Sequence, residues 1–333
     1  MKFGETFAEY LHGEEEWFLE NCRHVEYKKL KKVLKRCKSC NQAKSESSDE
    51  QNPSLSGLSC QCQACPWCDE MFFSELMKEA SDIAGCFRSR VRHILHLHIA
   101  TGMQRYMLCF RRCFADHTHT LLEEGQILIH YITMNAIAIR KILKKYDKVH
   151  SSENGRNFKT KMRAERIELL HSPWLIELGA FYLNCGLDSV ENVNSSCGRV
   201  SCDLTTDRPV MKLTLPNPNS VELEFDLTCA ICLEKVFNPY ALKCGHIFCK
   251  ACTCSAASVM IFQGVKAASS QSKCPICREA GVYADAVHMV ELHLLLKIRC
   301  KEYWKERTVA ERSEMVKQSK TFWNEQTKYM IGY

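Results

Sequence analysis

CAIC at 229–232, CGHIFCKAC at 244–252 and CPIC at 274–277 decide the fold of the C-terminal part of this chain. Seven Cys and one His stand there as three C-x-x-C steps and one Cys244-Gly245-His246 step. A C-x-x-C turn brings two thiolates onto one ion, and Zn2+ takes four soft or borderline donors in a tetrahedron. Four donor pairs therefore make two closed four-ligand sites. Spacing alone allows two partitions: neighbouring pairs share an ion, or alternate pairs do. In both, protein fills every position, so the metals are structural and no position is left for a catalytic water. Cys254 is the odd one out.

Immediately upstream, VMKLTL at 210–215 and VELEFDL at 221–227 alternate apolar and polar residues across PNPNS, which predicts a hairpin leading into the zinc module. The polar stretch 186–208 reads as a linker. Downstream, 288–328 reads as one long charged helix with Val290, Leu294, Leu295, Ile298, Tyr303 and Trp304 apolar. Beyond Trp304 the seam thins, which predicts packing on the zinc module followed by fraying. A second copy of the chain, as a homodimer, is the competing partner for that seam.

The N-terminal part reads as helical throughout. Residues 1–40 carry Phe3, Phe7 and Tyr10/Leu11 at helical spacing. A long helix is expected over about 70–116, with Phe72, Leu76, Ile83, Phe87, Val91, Ile94, Leu97 and Tyr106 apolar and Gly85 and Gly102 as weak points. A second runs over about 119–149, and a third over 158–183 with Pro173 as a kink. His93, His96 and His98 have mixed spacing and no acidic neighbour, so they read as ordinary histidines. Cys37, Cys40, Cys65 and Cys68 flank a polar loop and could hold a third zinc. The plainer reading is a Cys-rich loop packed against Trp67 and Phe72.

The bulk numbers narrow the function classes. A chain of 333 residues has room for two or three domains, and 46% hydrophobic with 25% charged residues is an ordinary globular composition. Twenty-two Cys without an apolar leader in MKFGETFAEYLHGEEEW point to metal ligands or buried thiols rather than disulfides. The longest apolar run, Ile127–Ile139, is interrupted by His130 and Asn135 and is too short to span a bilayer. The expected compartment is cytoplasmic or nuclear, with recruitment to the plasma membrane through a partner. The net charge of +6 is mild, and the basic clusters lie far from the zinc knuckles, so a nucleic-acid partner is not expected.

Two of those clusters carry chemistry. On the 119–149 helix, Leu128, Ile132, Ala136, Ile139, Leu143 and Tyr146 share a narrow arc. Lys141, Lys144, Lys145 and Lys148 share another, nearly opposite. A solvated face is the bland reading. Like charges at this spacing cost the helix about 0.2–0.5 kcal/mol each, and no acid compensates them in the preceding turn. A second run of seven Lys/Arg lies between Lys28 and Lys38, with Tyr27 at its start. Two such faces brought together make a site for a polyanion, with lysines as point charges for phosphate.

MKFG at the start, YKKLKK at 27–32 and KILKKYDK at 141–148 resemble, in this order, the signature stretches of SPX domains. Those are helical sensors of inositol polyphosphates, above all inositol pyrophosphates. The resemblance covers about 1–185 and implies phosphate contacts from Lys2, Tyr27, Lys31, Lys141, Lys144, Lys145 and Lys148, with Lys28 as an addition. The Cys-rich segment 37–68 falls where that family has a variable loop. The zinc stretch resembles a RING finger, the zinc module of many ubiquitin ligases. That resemblance implies the alternating partition: Cys229, Cys232, Cys249 and Cys252 on one ion, and Cys244, His246, Cys274 and Cys277 on the other. It also implies that Ile231 and Pro275 form an apolar rim for a conjugating enzyme, and that Arg278 bridges that enzyme to ubiquitin.

SPX followed by RING in one chain is similar to the plant ubiquitin ligases named for nitrogen limitation adaptation. The fold expected is multidomain: an all-α SPX bundle at 1–185, a linker at 186–208 and a β-hairpin lead-in at 209–227. A small α+β zinc-bound RING at 228–282 and a helical extension at 283–333 complete it. The function implied is ligation of ubiquitin, with no catalytic residue of the chain's own, two structural Zn2+ and an inositol (pyro)phosphate as regulatory ligand. A conjugating enzyme, ubiquitin and protein substrates, membrane transporters for phosphate or nitrate among them, are the implied partners. A non-catalytic adaptor is the competing reading. An inert module has no need of Ile231, Pro275 and Arg278 together.

Overall fold

The computed structural model describes residues 25–26, 28–30, 66–98, 115–150, 153–164, 173–185, 199–204, 208–215 and 221–331. The chain divides into two compact units, Met1–Leu170 and His171–Tyr333.

The described part of the first unit is helical: α1 (Pro66–His98), α2 (Ala115–His150) and α3 (Asn154–Ala164). On α1 and α2 the stripe that periodicity predicts is buried wherever its side chains are described. On α1, Phe72, Leu76, Ile83, Phe87, Val91 and Ile94 are buried. On α2, so are Leu128, Ile132, Ala136, Ile139, Leu143 and Tyr146. At one end an aromatic cluster locks the three helices together. Phe72 stacks on Tyr146 at 4.5 Å, Phe73 on Phe158 at 4.6 Å, and Tyr146 on His150 at 4.3 Å. Offset stacks of this kind add about 0.5–1.5 kcal/mol beyond area burial. The α2–α3 turn is tight: Gly155 N–H donates to Asp147 Oδ1 at 2.6 Å. Leu30, from the basic N-terminal run, is fully buried, and Val25 N–H donates to Asn135 Oδ1 at 2.9 Å.

Over the third expected helix the described residues form two helices. α3 ends at Ala164, and α4 (Pro173–Asn184) begins at Pro173. Proline suits the first helical position, where its missing N–H has no partner to lose and its φ is already helical. α4 packs within the second unit, although the resemblance carried the helical domain to 185. Its face of Leu175, Leu178 and Phe181 is buried. Gly179 lets it approach a three-stranded antiparallel sheet, because a Cβ there would meet Met211 Sδ at 2.9 Å and Val200 at 3.4 Å.

That sheet is β1 (Arg199–Asp203), β2 (Val210–Leu215) and β3 (Val221–Asp226), in that order. The β2–β3 pair is the expected hairpin, in register Met211↔Phe225 and Leu213↔Leu223. β1 lies inside the stretch read as linker. Its short polar segment pairs Val200 with Leu213 and Cys202 with Met211.

The zinc module follows, with β4 (Pro239–Ala241), β5 (Ile247–Cys249), α5 (Lys250–Ala256) and β6 (Val287–His288) in the sheet order β5-β4-β6. The C-terminal extension is two helices rather than one: α6 (Val290–Arg299) and α7 (Lys301–Ile331). The break is Cys300, at φ −119 and ψ 55. α7 packs on the zinc module as expected. Trp304 lies against Phe237 at 4.4 Å, Gln318 Oε1 accepts from Ile261 N–H at 3.0 Å, and Phe322 meets Phe262 at 5.6 Å. It does not fray where the seam thins but stays helical to Ile331. Ile298, expected in the apolar seam, is 50% exposed.

Candidate functional site

The two ends of the zinc stretch fold into knuckles of one design. In the first, Cys229 N–H donates to Glu234 O and Leu233 N–H to Cys229 O, each at 2.8 Å. In the last, Cys274 N–H donates to Glu279 O and Arg278 N–H to Cys274 O, each at 2.9 Å. A bridge closes each base, Thr228↔Lys235 and Lys273↔Ala280. The residue after the second ligand takes the left-handed conformation in both, Leu233 at φ 59 and Arg278 at φ 60. This turn points both thiols of a C-x-x-C inward.

The topology then settles the partition that spacing left open. The ligand atoms of Cys229, Cys232, Cys249 and Cys252 lie within 4.8 Å of one another, as do those of Cys244, His246, Cys274 and Cys277. β5 is the reason for the interleaving. It carries Cys249 out of the turn that bears Cys244 and His246, and α5 then presents Cys252 one turn on.

Both sets fit zinc. With Zn–S near about 2.3 Å, tetrahedral geometry separates two sulfurs by about 3.8 Å and a sulfur from a ligating nitrogen by about 3.6 Å. Cys232 Sγ and Cys249 Sγ are 3.7 Å apart, and Cys274 Sγ and His246 Nδ1 are 3.6 Å apart. Phe237 N–H donates to Cys249 Sγ at 3.2 Å, the outer-shell bond a metal thiolate receives. Without an ion four such thiols compete for charge. Hydrogen bonds from Cys249 and Cys252 hold the Cys229 thiol far below its usual range, while the same bonding with Cys229 pushes Cys252 up to about 12. A divalent cation at the centre removes that conflict. Cys254 is buried in α5 and belongs to neither set, and burial raises its thiol to about 11.

Ile231, Pro275 and Arg278 all lie exposed on the two knuckles. Two neighbours escaped the sequence reading. Leu233 is 77% exposed and Ile276 is 48% exposed, although both are apolar. Leu233 occupies in the first knuckle the position of Arg278 in the last, a symmetry the C-x-x-C-x pattern already contains.

In the first unit, Lys141, Lys144 and Lys148 are exposed on α2, Lys145 is half-buried, and Lys28 is exposed. Their helix turns its buried stripe the other way. Lys29 is ion-paired with Glu75. Lys2, Tyr27 and Lys31 lie outside the described residues, as do Cys37, Cys40, Cys65 and the side chain of Cys68. His93 is exposed, and the side chains of His96 and His98 are outside the described set. Among the described residues only the two groups above could hold a metal.

Known proteins agree with this geometry. A RING-type zinc-finger model matches residues 229–275. Three plant proteins align over the full length of both chains. The "Probable E3 ubiquitin-protein ligase BAH1-like" of Arabidopsis thaliana is 77% identical, and the "Probable E3 ubiquitin-protein ligase BAH1-like 1" of Oryza sativa subsp. japonica is 51% identical. The "E3 ubiquitin-protein ligase NLA" of Arabidopsis thaliana is 43% identical. With two interleaved zinc sites in place and likeness running from end to end, the chain belongs to the plant NLA and BAH1-like family of RING-type E3 ubiquitin-protein ligases.

Proposed function

We propose that this ligase receives a ubiquitin-charged conjugating enzyme on Ile231 and Pro275, with Arg278 reaching toward the bound ubiquitin. It then transfers ubiquitin to target proteins, of which membrane transporters for phosphate or nitrate are the class the family resemblance implies. The observation that carries this reading is the pair of like knuckles, each presenting exposed apolar side chains beside a closed metal site. The chain supplies no acid, base or nucleophile. Its contribution is orientation, which turns a bimolecular encounter into a positioned one. Arginine suits the third role, since its planar fork makes two parallel hydrogen bonds.

We infer further that the SPX-like residues 1–185 bind an inositol polyphosphate through Lys2, Tyr27, Lys31, Lys141, Lys144, Lys145 and Lys148. The support is the lysine face of α2, exposed opposite a fully used apolar stripe. The chain would then work in nutrient homeostasis, in the cytoplasm or nucleus, and reach the plasma membrane through its substrates. No described helix is long and apolar enough to cross a membrane. A homodimer is favoured by one observation. Val309, Val316, Trp323 and Met330 recur every seventh residue on α7, and all are more than half exposed. Light scattering of the purified chain reads that mass directly.

One experiment tests the main reading. Full-length zinc-loaded protein is given activating enzyme, a panel of conjugating enzymes, ubiquitin and ATP, with and without an inositol pyrophosphate. Polyubiquitin chains are expected, and their loss in Ile231→Ala. Tight, salt-sensitive inositol pyrophosphate binding is expected too, abolished when the four lysines 141, 144, 145 and 148 become Ala. No chains with any conjugating enzyme, or undiminished binding by the lysine variant, removes the corresponding half.

A further inference from the structure

The two knuckles share their internal hydrogen bonds, and at the base of the last one Tyr283 Oη–H, from nearby in sequence, donates to Lys273 O at 3.1 Å. The first is tied from outside by α7, beyond the segment that the RING-type model matches. Tyr303 Oη–H donates to Lys235 O at 2.5 Å. Arg307, one helical turn on and on the same face of α7, pairs through Nη1 with Glu234 Oε2 at 3.0 Å. Its guanidinium carbon also lies 5.8 Å from the centre of the Phe237 ring. On the other side, Lys235 Nζ donates to Leu204 O, beside the end of β1. So 234, 235 and 237, the return limb of the knuckle that displays Ile231 and Leu233, are held on two sides by segments outside it.

These ties are of the durable kind. Tyr303 is half-buried, and burial pushes its hydroxyl above the ordinary phenol range, so it remains a donor. Arg307 is partly buried too. Desolvation opposes its charge, and the Glu234 carboxylate 3.0 Å away answers it. A four-thiolate zinc centre carries two surplus negative charges. A cation from another element next to it is therefore attracted both to the knuckle and to the metal shell. Arginine can stack on Phe237 and pair with Glu234 at once, and lysine cannot.

We propose that Tyr303 and Arg307 are positioning residues for ubiquitin transfer: they hold the first zinc knuckle in the shape that presents Ile231 and Leu233 to the conjugating enzyme. α7 is thus a working part of the ligase rather than a passive extension. The inference rests on the assignment of that knuckle to conjugating-enzyme binding. It assigns the control of that surface to a helix distant in sequence, Tyr303 standing 68 positions beyond Lys235.

The test uses the full-length zinc-loaded chain with a conjugating enzyme that supports chain formation, and compares Tyr303→Phe, Arg307→Ala, Arg307→Lys and Ile231→Ala. For each, zinc content, the far-ultraviolet spectrum, and KM and kcat for the charged conjugating enzyme are measured. Expected are two zinc ions per chain throughout, and KM raised roughly 5- to 10-fold in Tyr303→Phe and Arg307→Ala with kcat near the parent value, as for loss of one good hydrogen bond. Arg307→Lys should recover only part of the loss. KM and kcat equal to the parent in both Tyr303→Phe and Arg307→Ala overturn the proposal. So does activity that falls only in proportion to lost zinc with KM unchanged, which marks a merely structural role. If Ile231→Ala leaves KM unaltered, the conjugating-enzyme surface is wrongly placed and the proposal falls with it. A raised KM in Ile231→Ala alone sinks only the positioning role.

Discussion

Glu177 is the most exacting place to test the C-terminal unit. It projects from α4 and is buried, and it caps α6. Oε2 accepts from Glu291 N–H at 3.0 Å and Oε1 from Leu292 N–H at 3.2 Å. The second carboxylate, Glu291, is also buried, and Asn184 Nδ2 donates to its Oε2 at 2.7 Å. Two amides at a helix N-terminus favour an ionised cap. Burial nonetheless wins, followed by repulsion from Glu291, and pushes the Glu177 carboxyl up to about 8 from an ordinary 4.5. The folded chain therefore binds this proton more tightly than the unfolded chain. The resulting stability is fully present below about pH 4.5 and is lost as pH rises through about 8. Inside that window each unit of pH removes about 1.4 kcal/mol, so going from about pH 6 to pH 8 removes about 2 kcal/mol. Glu177→Gln keeps the shape and does not titrate. It turns an NH2 toward one of the amides and costs about 1–3 kcal/mol at low pH. Denaturant unfolding of the zinc-loaded full chain at fixed ionic strength, with hydrogen exchange of the α6 amides as the local reading, should show the gap between parent and Gln variant shrinking by about 2 kcal/mol over that range. Zinc release below about pH 5 acts on both proteins and cancels. A gap that stays constant, or widens with pH, refutes the reasoning, because Glu177 would then be ionised in the folded protein.

Removing zinc with a chelator should unfold 228–280 while most of the helical signal survives, since structural zinc supplies the folding energy of its own module. Circular dichroism with limited proteolysis reads this, and an unchanged cleavage pattern across the module would contradict it. Gly155→Ala should destabilise the helical unit by about 1–3 kcal/mol. Its Cβ would meet Asp147 Oδ1 at 2.7 Å and the Leu143 carbonyl oxygen at 2.8 Å, and the second of these is backbone that cannot move cheaply. A thermal transition for that unit matching the parent would show that α3 is not seated as described.

Much of this protein is written in local pattern. The α2 stripe from Leu128 to Tyr146 sits at the helical period, and every member is buried. The 210–227 hairpin announced itself by alternation around a Pro/Asn/Ser turn. Other elements were silent for physical reasons. RVSCD at 199–203 is too short and polar to stand out, and it becomes a strand only because β2 offers it an open edge. Cys300 has no breaker chemistry, yet it divides α6 from α7. At Pro173 a kink and a helix start look alike in sequence, because proline serves both.

The sequence by itself determined which atoms can hold zinc and which helix face carries the lysines, since residue type, spacing and period are local properties. Which donor pairs share an ion, that Glu177 caps amides more than a hundred residues away, and that Arg307 lies against Glu234 were decided only by the tertiary structure. Those contacts depend on where distant stretches of chain come to rest, and no spacing between neighbouring residues encodes that.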